Sequence, residues 1–155
     1  MSLLGDADVI APTEKAKRAR AILPAVGPHD CGARYRQLID LTKGLTPIRT
    51  AVVHPVDRYA LMGALDAAQA KLIVPILIGP ETKIRATAEA ADVDLAPYRL
   101  IPTAHSHEAA AKAVAMARAR EVEALMKGSL HTDELMHEVV ARQTGLATER
   151  RISHV

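Results

Sequence analysis

Lys127-Gly128-Ser129-Leu130-His131-Thr132 joins the apolar run from Val122 to Met126 to a helical pattern from Asp133 to Gln143. It reads as strand, tight turn, helix, with Thr132 as the expected N-cap. Such a junction aims backbone N–H groups and the positive end of a helix dipole at one spot, where a lysine, a serine and a threonine add donors. That combination suits an anion. An ordinary strand-to-helix loop with a glycine turn has the same spacing, so both readings stand at this point.

Working back from this stretch, the chain alternates apolar strands with amphipathic helices. Thr50 to His54 is a β-branched run, and Val56 to Ala70 follows as a helix with Leu61, Leu65 and Ala68 as its buried stripe. Ile76 to Ile78 is a fully apolar strand with Pro75 at its first position and Gly79-Pro80 ending it. Glu81 to Ala91 is helical, with an Arg85 to Glu89 pair, and Tyr98 to Pro102 is a weaker strand. Ser106 then caps a helix to Arg118 in which Glu108 faces Lys112. Arg150 to Val155 looks like a further strand beginning.

Runs this apolar fit strands buried on both faces, and the alternation predicts an α/β fold: a parallel, doubly wound sheet. In such sheets ligands collect at the carboxyl ends of the strands, where Lys127 to Thr132 and His54-Pro55 both fall. Ahead of this, residues 1–32 carry Pro12, Pro24 and Pro28 without a sustained period and read as a linker or lead-in from an upstream domain. Ala33 to Lys43 reads as a helix, closed by Gly44.

Composition narrows the function. The 155 residues are 49% hydrophobic, enough for one real core, yet contain no Phe, no Trp and three Tyr. Aromatic stacking on single-stranded nucleic acid is disfavoured, and a net charge of +2 argues against a polyanion partner. One cysteine, Cys31, permits no internal disulfide and gives no metal spacing. The opening residues lack a basic and apolar signal pattern, and the longest apolar run is broken by Pro75, so a cytoplasmic protein without a membrane span is expected.

Neither G-x-G-x-x-G nor G-x-x-x-x-G-K-[ST] occurs, which disfavours dinucleotide and P-loop chemistry. Seven histidines invite a metal search, but Glu134 and His137 have no second Glu-x-x-His to complete a pair, and no metal is expected. Ser129, His131 and Asp133 are too close in sequence to make a natural triad, and no G-x-S-x-G elbow is present. Arg150 and Arg151 add guanidinium forks suited to phosphate, with plain surface charge as the competing reading. Asp133 and Glu134 would repel an anion unless they face away.

The run Lys127 to Met136, followed by Gly145-Leu146 and Arg150-Arg151-Ile152-Ser153-His154-Val155, resembles the phosphate acetyl/butyryltransferase family. Ala51 to Asp57 and Pro75 to Gly79 fit the same pattern, so the resemblance covers about residues 33–155. It is closest to the branch in which this domain follows a MaoC-type enoyl-CoA hydratase domain in one polypeptide.

The resemblance implies an isocitrate/isopropylmalate dehydrogenase-like first lobe at 33–155, with the second lobe of the transferase absent. It implies acyl transfer between CoA and phosphate as substrates, with no permanently bound cofactor, in a homodimer, with the hydratase domain in cis. Phosphate or CoA contacts are expected from Lys127, Gly128, Ser129, Thr132, Arg150 and Arg151, with His54 and Ser153 as further pocket residues. Other catalytic groups are expected in the absent half, so this chain alone should turn over little substrate. A non-catalytic CoA/phosphate-binding or dimerisation module is the alternative, and an acyltransferase using acyl carrier protein is a third.

Overall fold

The structure, a computed structural model, describes residues 31–150. The first thirty residues of the expected lead-in, the terminal strand, Arg151 and Ser153 lie outside the described residues. The chain divides into two compact units, residues 1–41 and 42–155. Helix α1, Cys31–Thr42, belongs almost wholly to the first; it begins two residues before the predicted start, and Gly44 follows it at φ 86°.

The second unit alternates β1 (Ile48–Val53), α2 (Arg58–Gln69), β2 (Ile73–Gly79), α3 (Glu81–Ala90), β3 (Arg99–Pro102), α4 (Ser106–Arg118), β4 (Ala124–Lys127) and α5 (Thr132–Val140). The four strands form one sheet in the order β3-β2-β1-β4, and every neighbouring pair is parallel. The parallel, doubly wound α/β arrangement expected from the sequence is present.

Strand order and crossover handedness together fix the layers. From β1 through β2 to β3 the chain steps in one direction across the sheet, and then α4 carries it back past β1 to β4. Right-handed crossovers put helices of opposite travel on opposite faces. Accordingly Leu61, Ala64 and Leu65 of α2 and Ile84 and Ala88 of α3 pack with Val52 and Leu77 on one face. Ala109, Ala110, Ala113 and Met116 of α4 and Leu135 of α5 pack with Ala51, Val53, Ile76 and Ile78 on the other. The alternation of Ala51, Val52 and Val53 between the two clusters is the period of two that a strand imposes. A core without Phe or Trp is closed by the alanines of α4, which let that helix lie near the strands.

Several local expectations are corrected. Pro75 is the third residue of β2, not the first. Ile48 donates to the Leu72 carbonyl and His54 to that of Ile78, so by alternation even-numbered residues of β2 bond toward β1 and Pro75 faces the β3 side. The β3 ladder starts only at Ile76 paired with Arg99, so the missing proline N–H interrupts nothing. The α2 stripe is Leu61, Ala64 and Leu65, with Ala68 only partly buried.

Arg85 pairs back to Glu81 at 2.7 Å, the favourable order in which the acid precedes the base by one turn, and not with Glu89. His105, not Ser106, caps α4: its Nδ1 accepts the Glu108 N–H at 3.2 Å. The Glu108 carboxylate returns to the Ala104 N–H at 2.6 Å and does not face Lys112. The imidazole thus takes the hydroxyl's role in a capping box, while the Glu108 carboxylate reaches one residue further back, to the N–H before the cap.

Candidate functional site

The reversal of chain direction places β1 and β4 side by side, with Val53 opposite Lys127. After these strands the chain leaves β1 for α2 on one face and β4 for α5 on the other, which is the topological switch point of an open parallel sheet. The loops His54 to Asp57 and Gly128 to His131 therefore meet at its rim.

They meet closely. The Gly128 N–H donates to the Val53 carbonyl and the Ser129 N–H to the His54 carbonyl, each at 2.9 Å, so the two loops stay bonded to each other past the strand ends. A Cβ on Gly128 would lie 2.5 Å from the Val53 oxygen and 2.7 Å from that of His54, so only glycine fits. His54 stands at φ 57°, in the left-handed region, and redirects the chain from β1 toward α2. Its own N–H bonds the Ile78 carbonyl at 2.7 Å. Its ring Nδ1 lies 3.0 Å from the Ser129 carbonyl. A carbonyl can only accept, so Nδ1 carries the proton and, in the neutral ring, Nε2 is left with a free lone pair.

Asp57 completes the junction and was not picked out by the sequence reading. As N-cap of α2, its Oδ1 accepts the N–H groups of Tyr59 at 2.8 Å and Ala60 at 3.0 Å. Its Oδ2 accepts the Ser129 hydroxyl. The Ser129 bond, assisted by the backbone donors, holds the Asp57 carboxyl below its usual range. The available signal was an aspartate four residues after β1 and immediately before α2, a normal N-cap position. Nothing in the linear sequence connected it to Ser129.

Lys127 is the last residue of β4, and its amine donates to the carbonyls of Leu130 at 2.7 Å and Gly128 at 3.2 Å. Two of three ammonium protons are thereby used and one remains. The anion nest imagined from the sequence is thus altered: the N–H groups of Gly128 and Ser129 point into the sheet, and the Ser129 hydroxyl is given to Asp57.

Thr132 is the first residue of α5 rather than its cap; His131 holds the cap position without a side-chain bond. Of the two first-turn carboxylates, Glu134 turns toward the start of α4. Hydrogen bonding to Ser106, with help from His107 and His131, keeps it below its usual range against the opposing effect of desolvation. Its Oε2 is 3.9 Å from His107 Nε2. Asp133 is exposed. Arg150 is also exposed, its N–H bonded to the Thr148 hydroxyl, and no hydrogen bond or ion pair joins it to Lys127 or Ser129 among the described residues. The structure thus brings Lys127, Gly128, Ser129 and His54 together, with no hydrogen bond or ion pair from Arg150 to them among the described residues.

No protein-family model matches the chain. It is 60% identical over 111 residues to a phosphate acetyltransferase of Rickettsia typhi, a match covering 72% of this chain and 32% of that protein. A phosphate acetyltransferase of Rhizobium meliloti is 53% identical over 123 residues, covering 79% and 39% respectively. A phosphate butyryltransferase of Clostridium beijerinckii is 25% identical over 121 residues, covering 78% and 40%. The chain therefore spans about a third of the length of the curated relatives it matches. The resemblance carried by the Lys127 to Val155 motif agrees with these similarities.

Proposed function

We propose that this chain forms one lobe of a phosphate acetyltransferase, in which its β1/β4 switch point is one wall of the site for CoA and phosphate. The observation that carries this reading is the 53–61% identity to phosphate acetyltransferases. The junction of Lys127, Gly128, Ser129 and His54 lies where an open parallel sheet binds its ligands and so agrees with it.

In the proposed reaction the CoA thiolate attacks the carbonyl carbon of an acyl phosphate. The carbon–sulfur bond forms, the carbon–oxygen bond to phosphate breaks, and inorganic phosphate leaves with that electron pair. Such chemistry needs donors for the developing oxyanion and leaving phosphate and a base for the thiol, but no cysteine nucleophile. Lys127 and the exposed Thr132 are the donors offered by this lobe, Ser129 adds a contact through its lone pairs and Gly128 keeps the two loops close, with Arg150, Arg151 and Ser153 joining them if the chain beyond α5 folds back. Lys127 keeps one proton for a ligand. Remaining groups come from a second lobe, in keeping with the share of the relatives that this chain spans.

A MaoC-type hydratase domain in cis, assembly as a homodimer and a cytoplasmic location belong to the same proposal. The last accords with the described helices, none of which is long and apolar enough to cross a membrane. CoA and phosphate enter as substrates, with no permanently bound cofactor.

The test is acyl-CoA formation from acetyl, propionyl and butyryl phosphate by the full-length polypeptide that contains this chain. Acetyl phosphate should be turned over. No turnover with any of the three, together with retained CoA binding, would replace this reading with that of a binding or dimerisation module. Preference for acyl carrier protein over CoA would point to the third acyltransferase class.

A further inference from the structure

The hydrogen-bond inventory at Ser129 is closed in one direction. A serine hydroxyl has a single proton, and here it is donated to Asp57 Oδ2. The Ser129 N–H is held by the His54 carbonyl, the Gly128 N–H by the Val53 carbonyl, and the Ser129 carbonyl by the His54 ring. Only the lone pairs of Ser129 Oγ remain for a ligand, and lone pairs accept.

Asp57 is in turn fixed, because its other oxygen is bound by two N–H groups at the head of α2. Lys127 does not neutralise it through a salt bridge, since its amine is bonded to the Gly128 and Leu130 carbonyls. Among the described residues, a phosphate dianion brought to Ser129 would therefore meet no free donor in the Ser129 hydroxyl or in the Gly128 and Ser129 amides, and a carboxylate directly behind the hydroxyl.

We propose that Asp57 is a positioning residue that holds the Ser129 hydroxyl as a hydrogen-bond acceptor, so that this point of the crevice takes an uncharged proton donor, a thiol S–H or an amide N–H, and turns inorganic phosphate away. This inference rests on the acyl-transfer reading and divides the site: the thiol arm of CoA lies against Ser129, and phosphate is held elsewhere.

The test is an NMR titration of the 155-residue chain with pantetheine, which carries the thiol and amides without phosphate, and with inorganic phosphate. Pantetheine should shift the amide signals of Gly128 and Ser129, and phosphate should leave them in place. Asp57→Asn retains a good capping side chain and removes the charge, so phosphate should bind at Ser129 at least roughly tenfold tighter than in the parent. Ser129→Ala should lose the pantetheine response while keeping the dispersed spectrum of the fold.

A lowered unfolding midpoint in Asp57→Asn with unchanged ligand preference would mean that Asp57 is only a cap and would overturn the proposal. So would phosphate shifts at Ser129 in the parent, or no response to pantetheine. Failure of the full-length polypeptide to transfer acyl groups, with the NMR pattern intact, would remove the proposed reaction and leave the ligand preference standing.

Discussion

The Ser129 hydroxyl donates to the carboxylate of Asp57 across 72 residues of sequence, tying the loop after β4 to the first turn of α2. Asp57, in one loop of the switch point, thereby bonds to the other loop and to the head of α2. Because its carboxyl is held below the usual 3.8, chiefly by Ser129, the stabilisation it provides is complete above that value and is lost as pH falls through the lower folded-state pKa. A carboxyl carbon titration by NMR should give a midpoint below 3.8, and Ser129→Ala should move it upward. A midpoint unchanged by the substitution would show that the tie does not persist in solution.

Gly128 is the tightest point of the junction. Alanine there would press its methyl group on the carbonyl oxygens of Val53 and His54, both part of backbone rather than flexible side chain. Gly128→Ala should lower the unfolding free energy in urea by about 2–3 kcal/mol. Gly44→Ala meets nothing within 4 Å and strains only its positive φ, so its cost should be smaller, about 1 kcal/mol.

Glu134 links α5 to the start of α4 through Ser106 and, more weakly, His107. Its titration midpoint should lie below the usual 4.5, with Ser106→Ala raising it more than His107→Ala does. The reverse order of effects would make the imidazole, and not the hydroxyl, the main partner.

Leu77 is fully buried at the centre of the face shared by α2 and α3. Leu77→Ala should cost about 3 kcal/mol, from lost burial and from the cavity left behind. Thermal or urea unfolding monitored by circular dichroism would read it. Tyr59→Ala, at a side chain 89% exposed, should change the same measurement little.

Lys127→Met removes the cation that bridges two carbonyls of its own loop. The chain should lose about 1–2 kcal/mol of stability, and amide exchange at Gly128 and Leu130 should quicken. In the full-length polypeptide the same change should reduce acyl transfer. Unchanged exchange would mean that the amine is free in solution and available to an anion.

Much of the fold was legible because a run such as Ile76 to Ile78 fits a strand buried on both faces, and such runs alternating with amphipathic helices fit a parallel sheet; the run from Val122 to Met126 became a strand only from Ala124, half-buried and preceded by the exposed Glu123. Element ends were less legible. His105 in place of Ser106, and His131 in place of Thr132, took the cap positions because an N-cap is defined by where the backbone leaves the extended region, a choice set by how each helix docks.

By itself, then, the sequence determined the α/β alternation, the importance of Lys127 to Thr132 and the kinship carried by that motif, since these depend on local period and residue identity. Only the tertiary structure decided what the segment can do. Return of the chain past β1 brought Val53 and His54 against Gly128 and Ser129, turned their N–H groups inward and set Asp57 behind the serine. Hydrogen-bonding capacity is finite, and which partners consume it depends on contacts distant in sequence.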